Sequence, residues 1–492
     1  MTRPNTNNVE PSSASKRNAQ EREAVITLFM PRGRADERVY AARTTLLHIL
    51  GVDGITLAAD QGEAWGFRDA DSRSLTLPDV FFPLAERDWL LRLPAIPTPV
   101  PRHTFQEPWL QGSGIEPELP ILFADRAAGA PLIEGLSHAM TLHLDVFGAA
   151  FFFLTRYEEV VCSARDSHDR FPAAASLAHQ QGFLDRPIID EYASLLWACL
   201  KRIWPSIPRR ARKSRVFATH DVDHPLSNIA RAPAKLLRNM AGDMVRRRSL
   251  ALARQRISAF FCAEPARFEH DPNNTFDFLM DVSERYNLCS AFYFKAGATS
   301  REYDDDYSLE MPWIRQLLQR ITDRGHEIGL HPSYNTYLDA SQLRREFGTL
   351  LRAAENCGVK QHRWGGRQHY LRWRAPTTWR NWEAAGLAYD STLGYADYVG
   401  FRCGTSHPYP AFDIESGREM QLIERPLLAM DCALYGWSQK HVRRDVIADA
   451  TAGLWRRVDK NQGEFVILAH NNFVCTENYR RLFRWSLECA AG

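Results

Sequence analysis

Apolar positions along this chain change rhythm near its middle. Residues 74–82 and 88–93 form short apolar runs that predict strands or turns, and the proline-rich stretch 93–101 (LPAIPTPVP) excludes helix and favours extended backbone. Residues 140–159 are largely apolar and predict one buried helix; 190–204 carries apolar residues at helical spacing and predicts another. Residues 205–215 (PSIPRRARKSR) then bring two prolines and five basic residues among the last seven, which predicts an exposed linker. Beyond it the pattern alternates. Short β-prone runs at 216–219, 292–294, 327–330 and 465–469 are interleaved with helical stretches at 275–286, 313–324, 343–356 and 377–385. Such alternation predicts β/α units around a mostly parallel sheet or barrel.

Composition narrows the function classes. At 492 residues the chain has room for two to four domains. Its 61 basic and 59 acidic residues leave +2, which gives no support to sequence-independent nucleic-acid binding. The charge is unevenly placed, however: residues 231–256 hold eight basic residues and one acid, either a solvated helix face or a surface for anionic lipid or polymer. The longest apolar run, VFGAAFFFL at 146–154, is too short to span a bilayer, so no transmembrane segment is expected, though peripheral membrane contact is open. Residues 1–23 are polar, without an apolar core for export, and read as a disordered tail. Nine scattered cysteines with no C-x-x-C pair argue for a reducing compartment, and with the missing export signal they suggest a cytoplasmic location.

The chemistry-bearing residues gather just after the apolar runs. The first run ends in Thr219-His220-Asp221-Val222-Asp223-His224. Residues two apart on an extended chain share a face, so either Asp221 and Asp223 point into one site, where one carboxylate could hold a metal and the other take a proton, or they close a local hydrogen-bonded turn. The second run ends in His331, ahead of Pro332 and Asn335. Neutral imidazole is the commonest metal ligand. Glycines before Arg367, His369 and Tyr370 suit a loop lining a polar pocket, with Arg367 placed to orient a carboxylate. The last run, 465–469, ends in His470, a natural general acid or base.

With these motifs in this order, residues 215–475 resemble the NodB-homology polysaccharide deacetylases, carbohydrate esterase family four. Thr219–Asp223 is similar to the family's first motif, GHEIGLH at 325–331 to its most specific one, Arg367 with His369 and Tyr370 to its arginine motif, and Ile467–His470 to its last; Phe292-Tyr293-Phe294 resembles its second strand. The resemblance implies an α/β fold: a distorted (β/α)7 barrel over 216–492, with 231–267 as a basic helical insertion. It implies a metal-dependent deacetylase acting on a carbohydrate, with a divalent ion, zinc the expected one. Asp221 would be the general base, His470 the general acid, and Arg367 would hold Asp221. The metal would lie on Asp223 and His331. The family's second histidine is replaced by Asn335, which takes that place among the expected ligands, with His224 and His369 as alternative donors. His224, His369, Tyr370 and Arg402 are the expected substrate contacts, Arg402 through a G-F-R-x-G-T segment at 400–405 shared with a subgroup tied to bacterial surface-polysaccharide loci. That subgroup carries an additional N-terminal domain, here an α/β unit over 24–205 joined by the linker 206–215; its segments resemble 147–159 and 183–192. A glycan-binding relative that has lost turnover, and a hydrolase of other small amides, are the competing readings.

Overall fold

The computed structural model describes residues 25–60, 62–111, 115–127, 129–228, 232–245, 249–264, 266–304, 307–435 and 444–491. The expected tail at 1–23 lies outside them.

The N-terminal part is built on a six-stranded mixed sheet. Its strands are β1 (Ile26–Met30), β2 (Ile55–Ala59), β3 (Ala64–Arg68), β4 (Ser74–Pro78), β7 (Ile133–Leu136) and β8 (Ala139–Leu142), in the order β2-β1-β3-β4-β8-β7. The short strands β5 (Arg102–Thr104) and β6 (Glu118–Pro120) pair separately. The single helix expected over 140–159 is divided. Its first residues belong to β8, and helix Val146–Leu154 starts only at Asp145, whose carboxylate accepts from Gly148 N at 2.7 Å. The same carboxylate accepts from Val80 N and Phe81 N at 2.8 Å each, so one buried acid caps two helix starts. Burial and the neighbouring Asp79 push it up to about 7. The helix then breaks at Arg156, in the left-handed region at φ 55°, before helix Tyr157–Val161. Phe81, Phe82, Phe151, Phe152 and Tyr157 interlock around this break as edge-to-face and tilted pairs.

The second part carries the larger sheet. Strands β9 (Arg215–Val222), β10 (Ala291–Phe294), β11 (Glu327–Leu330), β12 (Gly365–Gly366), β13 (Tyr389–Asp390) and β15 (Arg418–Glu424) lie side by side and parallel. Strand β14 (Tyr409–Asp413) is antiparallel to β15 at one edge; β17 (Glu464–Leu468) and β16 (Ala429–Met430) extend the sheet beyond β9. Both faces of β10 and β17 are buried, the expected state of a central parallel strand. The sheet bends back on itself through one continuous stretch of chain. Arg425 N donates to Asp390 O at 2.8 Å and Leu427 N to Leu393 O at 3.1 Å, on the β13 side; Leu428 N donates to Val466 O at 3.1 Å, on the β17 side. A flat sheet would hold β15 and β17 nearly 30 Å apart at about 4.8 Å per strand, yet Arg425 Nε reaches Glu464 Oε1 at 2.8 Å.

The basic stretch 206–215, expected as an exposed linker, is exposed over most of its length, but two of its arginines are tied down. Arg209 donates to Leu50 O at 2.7 Å, and Arg212 donates to the carbonyls of Leu47, His48 and Ile49. These are the unpaired last carbonyls of helical residues Thr44–Leu50, which is why the arginines lie against them rather than in water. Among the described residues no helix is long and apolar enough to cross a membrane.

Candidate metal and acid-base site

The polar residues named from the sequence mostly meet at one end of the large sheet. Asp221 and Asp223 close β9, His331 follows β11, Arg367 follows β12, and His470 lies two residues past β17. These are carboxyl ends of parallel strands, where an α/β sheet gathers its ligand site. They surround a pocket of about 510 Å³ whose wall includes Asp221, Asp223, His224, His331, His369, Tyr370 and His470.

At its centre is a three-donor cluster. Asp223 Oδ1 lies 3.1 Å from His331 Nε2 and 3.2 Å from His369 Nε2. Both imidazoles are held from behind. His331 Nδ1 donates to Arg367 O at 2.6 Å, and His369 Nδ1 donates to Asp304 Oδ1 at 3.0 Å. A carbonyl and a carboxylate only accept, so each Nδ1 carries a proton, and a ring with no second proton turns the lone pair of Nε2 toward Asp223. Three lone-pair donors facing one point repel unless a proton or a cation lies among them. Burial alone would raise the Asp223 carboxyl, but His369 and His331 hold it well below the usual carboxylate range. Burial likewise opposes charge on His369, and Asp223 and Asp304 outweigh it and raise its pKa. The donor set suits a divalent ion: a tetrahedral zinc with bonds of about 2.0–2.1 Å separates neighbouring donors by about 3.3 Å, close to the separations found.

Two further groups flank the cluster. Arg367, wholly buried, donates to Asp221 Oδ1 at 2.9 Å and Thr219 Oγ1 at 3.0 Å, while its Nε donates to Ser391 O at 2.8 Å. The other oxygen of Asp221 is 3.9 Å from His331 Nε2. Arg367 reaches this place because the preceding residue is glycine: a Cβ on Gly366 would stand 1.8 Å from Leu330 O. On the opposite side, Asp431 accepts from His470 N at 2.7 Å and from His470 Nδ1 at 2.9 Å, leaving Nε2 3.6 Å from Asp223 Oδ2. Burial disfavours the charged imidazole, but Asp431 and Cys432 more than offset it, and His470 is held well above its ordinary pKa.

Three expectations change. Asn335 does not face the cluster. Its side chain is exposed, donates to Thr299 O at 3.1 Å and accepts from Arg372 Nη1 at 3.0 Å, and an oxygen beside a guanidinium is poorly placed for a cation. His369, expected as a substrate contact and, with His224, as an alternative donor, stands in the third donor's place. Arg402 does not line the pocket. It is buried at the junction of the two parts, where its Nε and Nη2 donate to Glu159 at 2.9 and 2.6 Å.

Sequence reasoning missed four groups. Asp431 was findable, since it ends the short apolar run 427–430 in the same strand-then-polar form. Asp304 stands in a loop without a pattern. His168 and Arg170 come from the N-terminal part and reach the pocket wall. Their loop is pinned across the junction: Arg170 Nη1 donates to Tyr370 O at 3.1 Å, Arg372 Nε donates to His168 O at 2.8 Å, and His168 Nδ1 pairs with the Tyr334 hydroxyl at 2.9 Å. Tyr370 adopts φ 60° here, so the Arg170 bond holds a residue in the left-handed region beside His369.

Residues 101–205 match the profile of a family of unknown function (DUF7033); His168 and Arg170 fall inside that stretch. No curated protein sequence matches the chain. Among solved structures, a Mycobacterium smegmatis protein assigned as a polysaccharide deacetylase aligns at 17% identity and a TM-score of 0.38, covering 57% of this chain and 85% of the other. The Xyl-CE4 domain of a multidomain xylanase from the hindgut metagenome of Trinervitermes trinervoides aligns at 11% identity and 0.27, covering 57% and 82%. PuuE allantoinase aligns at 11% and 0.35, covering 56% and 84%. At these scores the likeness carries no weight for function.

Proposed function

We propose that this protein is a metal-dependent deacetylase that removes the acetyl group from an N-acetylated sugar, working in the cytoplasm on an intermediate of bacterial surface-polysaccharide synthesis. The observation that carries the reading is the convergence of Asp223, His331 and His369, with Asp221 and His470 on either side. The order of sequence motifs supports the sugar substrate. The fold reading goes with it: β9 to β13, the stretch 418–430 and β17 make seven strands of a distorted barrel.

Asp223, His331 and His369 would hold the divalent ion. When bound, the ion polarises the acetyl carbonyl and makes water a nucleophile near neutral pH. Asp221 takes the proton from that water on the oxygen Arg367 leaves free, and Arg367 fixes its direction. His470 gives the proton on Nε2 to the departing amine, leaving acetate and a free amino sugar. Tyr370, His224, His168 and Arg170 form the wall that receives the sugar. A glycan binder without turnover was suggested by Asn335; with His369 beside Asp223, that motive lapses.

Chelation followed by return of zinc, with acetate release read on N-acetylated sugars and on small cyclic amides, tests the proposal. Release that needs the ion and prefers the sugars supports it. Release indifferent to chelation, or confined to the cyclic amides, refutes it.

A second expectation concerns pH. His470 must be protonated to act as the acid, so activity falls as pH rises through its pKa. Asp431→Asn removes the charge that raises that pKa, and the alkaline limb of the kcat profile should move to lower pH, with kcat reduced by about 10²-fold or more at the wild-type optimum. An unmoved limb would assign the acid to another group.

A further inference from the structure

The basic insertion expected at 231–267 is an antiparallel pair of helices, Pro233–Val245 and Leu250–Phe261, between β9 and helix Phe276–Arg285. Its inner side is closed by Leu236, Leu252, Ala253 and Ala259 and by a buried ion pair, Arg256 Nε to Asp243 Oδ2 at 2.5 Å. Its outer side exposes large apolar side chains. Leu237 is 65% exposed, Met244 44%, Val245 75%, Leu250 64% and Phe261 78%. Five of the thirteen large hydrophobic side chains exposed among the described residues thus fall on these two helices.

Their spacing makes faces of them. Leu237, Met244 and Val245 stand at i, i+7 and i+8 on the first helix, and Leu250 and Phe261 stand three turns apart on one side of the second. Arg238 and Arg254 are exposed among them. The sequence from 231 to 256 carries eight basic residues against one acid, and that acid is the one spent on Arg256. Apolar side chains edged by cations fit one partner better than any other: a bilayer with anionic headgroups, which takes the apolar face into its interface and pairs the cations with phosphates. A soluble anionic polymer would satisfy the cations and leave Val245 and Phe261 in water.

We propose that the helix pair Pro233–Val245 and Leu250–Phe261 docks this protein on an anionic membrane surface. The hairpin leaves the sheet at the end that carries Asp221 and Asp223, and it is anchored there. Ser227 N and Oγ donate to Asp271, and Asn239 Nδ2 donates to Ser227 O at 2.9 Å. Docking therefore holds the pocket end of the sheet at the bilayer. This part rests on the deacetylase reading: the substrate class is then a sugar carried on a lipid phosphate.

The test is co-sedimentation of the full-length protein with phosphatidylcholine vesicles, with and without phosphatidylglycerol. We expect partition only onto the phosphatidylglycerol vesicles, weakening as salt is raised. Val245→Gln with Phe261→Gln should lower it at least about tenfold, and Arg238→Glu with Arg254→Glu should do the same by charge. Far-ultraviolet circular dichroism checks that both variants keep their helices. Equal partition onto neutral vesicles, no partition, or partition unchanged in the apolar variant overturns the proposal, as does capture by dextran sulfate with none by vesicles. Acetate release from a soluble N-acetyl sugar, followed in parallel, should be the same in all three proteins. Its absence from the wild type would refute the deacetylase reading and leave the vesicle result standing.

Discussion

Replacing His369 by alanine is expected to empty the metal site and lower acetate release at least about a thousandfold, since a bound divalent ion supplies several kcal/mol of charge stabilisation. Asn335→Ala, by contrast, should leave metal content and turnover within about threefold of wild type, as befits an exposed side chain. The contrast follows from geometry. His369 Nε2 is 3.2 Å from Asp223 Oδ1 with its ring fixed by Asp304, whereas the Asn335 oxygen is taken by Arg372 at 3.0 Å. Asp304→Asn should fall between them. It keeps the shape and loses the charge behind the imidazole, for which a 10- to 100-fold weaker metal affinity is expected. Zinc content after dialysis, metal affinity by competition with a chelating dye, and acetate release measure all three. If Asn335→Ala loses the metal and His369→Ala keeps it, the donor set is not Asp223, His331 and His369.

The residues legible in the sequence and those that were not differ in what positions them. Asp221, Asp223, His331 and His470 sit at the ends of apolar runs, and a parallel sheet delivers strand ends to one rim whatever the loops do. Arg367 shares this property, since Gly366 ends β12. The third donor obeys a different rule. A spacing of four residues after His331 pointed to Asn335, but the chain turns into a short 3-10 segment at Thr336–Leu338 and the side chain departs from the rim. His369 arrives through the left-handed turn at Tyr370, and Arg170, far away in sequence, helps to hold that turn. No local pattern encodes such a contact. Arg402 was misplaced for a related reason. An arginine in a glycine-rich loop looks alike whether it faces a substrate or a buried acid, and its partner Glu159 lies in the other half of the chain. The N-terminal half was the least legible. Its strands β1, β2 and β3 went unseen, and the apolar stretch 140–159 hid both a strand and the break at Arg156.

That break carries the largest stability effect expected of a single substitution. Glu159 is almost wholly buried and is the shared partner of two buried arginines: Arg156 Nε donates to its Oε1 at 2.9 Å, and Arg402 donates to both its oxygens at 2.9 and 2.6 Å. Burial alone would raise its carboxyl, but Arg402 and Arg156 hold it below the usual range, so it is charged at neutral pH. The remaining bonds of the arginines go to carbonyls on both sides of the junction: Arg156 to Phe153 O and Arg402 O, Arg402 to Gly394 O. Glu159→Gln keeps the volume and removes the negative charge these two guanidiniums share, leaving two buried cations about one ion pair short. Breaking a buried pair in this way costs about 3–5 kcal/mol, against about 0.5 kcal/mol or less for an exposed counterpart such as Glu86→Gln, whose Arg34 partner lies near the surface. Urea unfolding followed by tryptophan fluorescence measures both. Because the triad ties the helix break at 156 to the loops at 394 and 402, Glu159→Gln should also loosen the loop that brings His168 and Arg170 to the pocket, raising KM before it alters kcat. A Glu159→Gln protein as stable as wild type would mean that the junction tolerates the unpaired cations and that the two parts are held together by their apolar contacts alone.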